Sequence, residues 1–383
     1  MATPRHLLVD PVNECDYHLV SRCVRRAFLC GVDERDGRDY SHRRAWLVER
    51  LRRIAPCFAV DVYAYTVLGN HFHLVLRHDP LAGRGWSDEE VARRWVEAFP
   101  PTERGEVVEA LKPERRELLL DNADRVARAR CTLGSMSHFM KHLKQPIARR
   151  ANLEDDCTGH FFEQRFYSGA LLTEEALIAA MAYVDLNPVR AELAGRIEEI
   201  RDTSIRERLQ VNSAEALADY LRPVVSGLDG WSAAAGSPPR AVVSVEARVD
   251  GEPVTFDLAD VAAGSPSEGD SEEATQADCR HVETGTESPE APSGPEPGPE
   301  EAGAAPPSRR PRSHFTLAEY IDLVRAMAEA EDGRPADRPD GLSRWLARTT
   351  VLSKRQRAFG DGPALRRWLA DRTMQFRETP MPA

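Results

Sequence analysis

Apolar and polar positions along the N-terminal half alternate between two periods. Tyr17–Val24 (YHLVSRCV) predicts a strand, followed by a polar, charged loop over residues 33–39. Arg43–Ile54 sets Trp46, Leu47, Leu51 and Ile54 at helical spacing, with arginines on the other face. Val60–Leu68 is β-branched and aromatic, and Gly69-Asn70 turns it into a second strand, His71–Arg77. A Gly-Asn dipeptide between two strand-like runs is a hairpin signal. Residues 87–130 predict charged helices broken near Pro100-Pro101 and Pro113, and Ser135–Arg150 predicts a basic helix kinked or ended at Pro146. Phe161–Leu172 is strand-like. Thr173 then caps a helix with Glu174 and Glu175 in its first turn, where the helix dipole favours acids, and Pro188 biases the residue before it away from helical geometry. Alternation over Ala241–Val261 around Asp250-Gly251 predicts a further hairpin, and the C-terminal part predicts helices anchored by Trp345 and Trp368.

Composition adds boundaries to this pattern. A chain of 383 residues suggests two domains, or one with tails. Residues 261–308 hold eleven acids against one base, Arg280, so almost all of the net charge of −11 lies there. The same segment carries eight prolines, and no aromatic residue occurs between Phe256 and Phe315. Such a stretch cannot bury enough apolar surface to offset its ordering entropy, so 264–312 is expected to be a disordered acidic linker. The acidic total therefore does not argue against a nucleic-acid partner. Beyond the linker, Arg344–Arg377 has nine bases against two acids. No run reaches the ~18 apolar residues of a spanning helix, and the N-terminus lacks the apolar run of a secretory signal. Seven cysteines are scattered without a Cys-x-x-Cys pair, which predicts reduced thiols. The expectation is a soluble, cytoplasmic protein with no membrane partner.

The candidate chemistry lies in two short segments. In His71-Phe72-His73 the strand period puts both imidazoles on one face, about 7 Å apart from a ~3.3 Å rise per residue, with Phe72 on the other face. Two such imidazoles can converge on one divalent ion. Tyr183 and Asn187, four apart on the Thr173-capped helix, also share a face. Taken singly, a His-x-His on a strand is more often surface or satisfied core, and a lone tyrosine on an amphipathic helix is more often core. Their value lies in the combination.

Leu68-Gly69-Asn70-His71-Phe72-His73-Leu74-Val75-Leu76 resembles the Asn-His-x-His-Leu signature of the HUH single-tyrosine transposases, in particular the REP-associated tyrosine transposases and their insertion-sequence-200-like relatives. Three more segments are similar to that family in its order: Tyr17–Arg22, Gly159–Phe166 and Tyr183–Ala191 (YVDLNPVRA). Together they span about Tyr17 to Gly195, roughly half of the chain. The resemblance implies an α+β fold, an antiparallel sheet with packed helices in a ferredoxin or RRM-like plait. It places that domain at 1–225 with a charged helical insertion at about 81–130. An accessory segment (226–263), the linker (264–312) and a small, basic helical region (313–383) would follow.

By the same resemblance, Tyr183 is the nucleophile, His71 and His73 are metal ligands, and Asn187 is the third protein ligand for Mg²⁺ or Mn²⁺. The reaction implied is cleavage and strand transfer of single-stranded DNA beside a hairpin, through a 5′-phosphotyrosine link. Arg22, Arg25, Arg26, Lys141, Lys144, Arg165 and Arg190 are candidate phosphate contacts, each of which would otherwise be a solvated surface charge. Whether Tyr183 acts in its own subunit or across a homodimer stays open. Where the family continues Arg-Gly-Asn-x-Arg, this chain has Arg22-Cys23-Val24-Arg25-Arg26. The competing reading is a hairpin-DNA-binding protein that does not cut. A zinc hydrolase is weaker still, because no carboxylate or third histidine has the expected helix spacing.

Overall fold

The structure, a computed structural model, describes residues 4–24, 30–33, 37–211, 217, 220–222, 316–331, 341–354 and 356–372, with the backbone of 244–249, 252–253 and 375–379. In chain order the elements begin with a short helix α1 (Arg5–Leu8), β1 (Cys15–Arg22), α2 (His42–Ile54) and the hairpin β2 (Val60–Val67) and β3 (His71–His78). A helical lobe follows: α3 (Asp88–Ala98), the ribbon β4 (Thr102–Glu103) and β5 (Glu106–Val107), α4 (Lys112–Leu120) and α5 (Ala123–Leu133). Then come α6 (Met136–Glu154), β6 (Tyr167–Leu171), α7 (Glu174–Arg190) and α8 (Ser204–Leu209). The last elements are β7 (Ser244–Val249), β8 (Glu252–Pro253), α9 (Leu317–Glu331), α10 (Leu342–Leu352), β9 (Ala358–Phe359), α11 (Gly362–Ala370) and β10 (Gln375–Thr379).

The main sheet has the order β2-β3-β1-β6-β9, antiparallel except for the β6–β9 edge. This is the α+β architecture expected, with an antiparallel sheet and helices on both sides. Gly69-Asn70 forms the tip of the hairpin, where Leu68 N–H donates to the His71 carbonyl at 2.9 Å. Alternation then sorts the strands into two faces. Tyr17, Leu19, Tyr65, Phe72, Leu74 and Leu76 join the core beneath α2, α5 and α6, with Leu47, Leu51, Phe139, Met140 and Leu143. The opposite face is covered by α7, whose Leu177, Ile178, Met181 and Val184 pack with Ala64, Val75 and Leu171, and by α9 and α10 outside it.

Local chemistry explains most of the helix starts. Ser87, Asn122, Ser135, Thr173, Thr203 and Asp361 each accept a hydrogen bond from a first-turn N–H of the following helix, among them Ala176 N at 3.2 Å from Thr173. Pro113 falls in the first turn of α4, where its missing N–H costs nothing.

Neither interior proline ends its helix. α6 runs through Pro146 to Glu154, and α7 runs through Pro188 to Arg190. Pro146 leaves the His142 carbonyl without its helical donor, and Arg50 Nε supplies one at 3.1 Å.

Other local expectations are corrected by distant partners. Arg43, expected on the exposed face of α2, is buried, over the Tyr40 ring and bonded to Glu154 and Asp155. The strand expected over Phe161–Leu172 begins only at Tyr167; before it, Phe162 makes an isolated bridge to Cys23. The C-terminal part is not purely helical, because Ala358 and Phe359 pair in parallel with Ala170 and Leu171. Gly169 permits this approach: a Cβ there would meet the Phe359 ring at 2.7 Å and the Gln356 carbonyl at 2.9 Å.

β7 pairs with β8 (Arg248↔Pro253, Val249↔Glu252) and with β10. The linker at 264–312, Arg25 and Arg26 lie outside the described residues. Cys15, Cys23, Cys30, Cys57 and Cys157 are free thiols, but Cys131 is disulfide-bonded, against the reduced-thiol expectation. Among the described residues no helix is long and apolar enough to cross a membrane.

Candidate active site

The register of three strands assembles the site. Val20 lies opposite His73 and Arg22 opposite His71 on the β1–β3 side, while Val20 also lies opposite Tyr167 and His18 opposite Gly169 on the β1–β6 side. Since paired residues share a face, His18, Arg22, His71, His73 and Tyr167 all emerge on the side that α7 covers. This is the face opposite Phe72, which is fully buried in the core.

α7 brings Tyr183 and Asn187 onto this patch. The Tyr183 ring stands edge-on to His73 at 5.9 Å between centroids and to His18 at 5.7 Å. Asn187 Nδ2 lies 3.4 Å from His73 Nε2, and the His71 and His73 rings are 4.8 Å apart. The structure therefore brings together all four residues singled out for chemistry. Tyr183 is half-buried, with its ring against the apolar packing of α7 and the Arg190 guanidinium 5.1 Å from its centroid.

What holds α7 in place is a buried polar network on its inner side. Asp185, two residues from both Tyr183 and Asn187, is fully buried. It accepts from Ser204 Oγ at 2.5 Å and from Tyr320 Oη of α9 at 2.6 Å, with the Arg208 guanidinium 3.8 Å away. Burial pushes its carboxyl upward, and Arg208 and the two hydroxyl donors act in the opposite direction. With its one proton on Asp185, Ser204 Oγ accepts from the Tyr65 N–H at 2.9 Å, tying α8 to β2.

Two ring nitrogens decide whether a cation suits the site. His71 Nδ1 lies 2.6 Å from Asn70 Oδ1; with the Asn70 amide in this orientation Nδ1 donates and Nε2 carries the lone pair. At His73, Nε2 faces the Asn187 amide, whose N–H can donate to a lone pair. Turning that amide presents Oδ1 in place of Nδ2. Two imidazoles and an amide oxygen suit a divalent first-row ion or Mg²⁺ with water completing the set. Among the described residues no group of three His, Cys, Asp or Glu side chains is arranged to hold a metal ion, so a cation here would depend on Asn187.

The basic residues divide. Arg22 is on the histidine face across from His71, and its Nε is buried with no hydrogen-bond partner among the described residues. Arg165 is exposed on the segment leading into β6. Arg190 is held by Glu331 and by Thr349 Oγ1 at 2.9 Å, both from the C-terminal helices. Lys141 and Lys144 lie on α6, across the sheet from Tyr183; Lys141 is exposed. Lys144 donates to the Glu163 carbonyl at 3.2 Å over the Phe162 and Phe166 rings. Burial, then Arg5, brings the Lys144 ammonium down to about 8.

Sequence reading missed one residue in the cluster, His18. It is buried, and its Nε2 lies 2.9 Å from His73 Nδ1. The available signal was a polar residue inside an otherwise apolar strand; the register that makes it a neighbour of His73 is not local information.

No family model matches the chain, and no curated protein matches it. Among solved structures it is similar to a REP-associated tyrosine transposase bound to a REP hairpin, at 10% identity and a TM-score of 0.29, covering 51% of this chain and 79% of that one. At that score the likeness establishes neither fold nor chemistry.

Proposed function

We propose that this chain cleaves and rejoins single-stranded DNA beside a hairpin through a transient covalent link to Tyr183. The observation that carries the reading is the meeting of Tyr183 and Asn187 from one helix with the co-facial pair His71 and His73 from one strand. The motif resemblance at these positions supports it independently of the geometry.

In this reading His71 Nε2, His73 Nε2 and Asn187 Oδ1 would hold Mg²⁺ or Mn²⁺, which would supply positive charge beside a non-bridging oxygen of the scissile phosphate. Tyr183 Oη attacks phosphorus; its O–P bond forms as the P–O3′ bond breaks. The phenol proton passes to water, and the departing 3′-oxygen takes a proton from solvent. The phosphodiester energy is kept in the tyrosyl link, so a DNA 3′-hydroxyl reverses the step without ATP. Arg22 meets a phosphate next to His71, and Arg165 contacts the strand farther out. The Glu331 and Thr349 contacts of Arg190 favour a role beside the Tyr183 ring over direct capture of DNA.

The test is a labelled single-stranded hairpin incubated with the full chain and Mn²⁺, then run on a denaturing gel. A protein–DNA adduct is expected, and Tyr183→Phe should abolish it, a loss of at least ~10³-fold for a missing nucleophile. Hairpin binding without any adduct across varied hairpins would leave the non-cutting reading in its place.

A further inference from the structure

We infer that His18 is a positioning residue: it fixes the tautomer and ring orientation in which His73 can bind a cation. This inference rests on the proposed function for the cation itself, but its evidence is separate. His18 and His73 are both buried, with 1% and 4% of their surface exposed, so this contact is not set by water. Their Nε2 and Nδ1 atoms are 2.9 Å apart, and the ring planes differ by only 15° with centroids at 5.1 Å. That separation is close to the nitrogen–nitrogen distance plus two ring radii. The rings therefore meet edge to edge with N–H and lone pair in line, not face to face.

The direction of the bond follows from what His73 must do. An imidazole ligates through an unprotonated nitrogen, and Nε2 is the one facing Asn187. Nδ1 must then carry the proton and donate it to His18 Nε2, which puts the remaining proton of His18 on its own Nδ1. The Asn187 Nδ2 facing His73 Nε2 at 3.4 Å is consistent with the same tautomer. His71 has the same arrangement with a different partner: its Nδ1 donates to Asn70 Oδ1 at 2.6 Å. Each imidazole of the pair thus has its Nδ1 proton tied down, one by its neighbour in sequence and the other from the adjacent strand. A partner of this kind fixes ring rotation and raises ligand basicity, and its loss weakens metal binding about 10–100-fold. His18 also stands edge-on to Tyr183 and to Tyr167, so it occupies the centre of the patch without needing to touch the ion or the DNA.

The test uses the full chain at constant pH with Mn²⁺ alone as probe. In long-range proton–nitrogen spectra of the metal-free, histidine-labelled protein, His73 should carry its proton on Nδ1. Titration calorimetry should then show His18→Leu weakening Mn²⁺ binding about 10–100-fold. His18→Gln, whose amide oxygen accepts from the same N–H, should recover most of that loss. Protonation of wild-type His73 on Nε2 overturns the inference even where His18→Leu does not fold. So does Mn²⁺ binding by a folded His18→Leu as tight as wild type, while the proposed function stands. Absence of Mn²⁺ binding by the wild type overturns the cation reading and this inference together.

Discussion

The two faces of the central sheet are built from the same strands and differ in almost everything else. Along β1, Tyr17 and Leu19 point into the core under α6, while His18 and Arg22 lie on the side of α7. Along β3, Phe72 and Leu74 fill the core, while His71 and His73 line the patch. Both faces hold apolar packing, with Ala64 and Val75 under α7, but only the α7 face carries the histidines, beside the Tyr183 phenol and the Asn187 amide. Parity therefore decides which face a strand residue joins, and Phe72 and His71, one position apart, should fail in different ways.

Phe72 against His71 breaks or sharpens this contrast most strongly. Phe72→Ala empties a fully buried ring and should cost about 3–5 kcal/mol in urea unfolding, whereas His71→Ala, at a partly exposed strand end, should move the midpoint little and abolish the DNA adduct. Equal losses of stability in the two variants would contradict the division. The next largest effect is expected at the network under α7. Tyr320→Phe leaves the buried Asp185 carboxylate short of a donor and should cost about 1–3 kcal/mol by thermal or chemical unfolding. A neutral result would mean that α9 does not support the tyrosine helix.

The smallest effect is a pH dependence on the core side. His142 packs against Phe99 with ring centroids 4.6 Å apart. Burial first, then His138, Arg50 and Lys141, hold it down to about 4. The unfolded chain takes up this proton near 6.5 and the folded chain only near 4, so His142's contribution to stability is complete above pH 6.5 and is lost as pH falls towards 4. Unfolding measured from pH 7 to 4 should show a shallower acid limb in His142→Phe, by about 1–2 kcal/mol after allowing for solvent at a partly exposed ring. An unchanged limb would remove His142 from the account.

Much of this was legible in the sequence where the cause is local. The Gly69-Asn70 hairpin, the amphipathic stripe of α2 and the Thr173 cap with Glu174 and Glu175 behind it depend on residues within a few positions of one another. Expectations failed where a distant group changed the balance. Arg43 is buried because Glu154 and Asp155, more than a hundred positions away, neutralise it. α6 continues past Pro146 while Arg50 serves the carbonyl that the proline abandons. β9 is two residues long and gave no periodic signal, yet it closes one sheet edge beside Gly169.

The sequence by itself determined which residue types could do chemistry and on which side of its own element each would sit, because strand and helix periods are properties of the backbone. It put His71 with His73 and Tyr183 with Asn187. Only the tertiary structure decided that these two pairs meet, that Arg22 joins them, and that Arg190 is occupied by Glu331. It also decided that His18 lies against His73. Strand register and helix docking are set by the packing of the whole core, and no local stretch of sequence contains that sum.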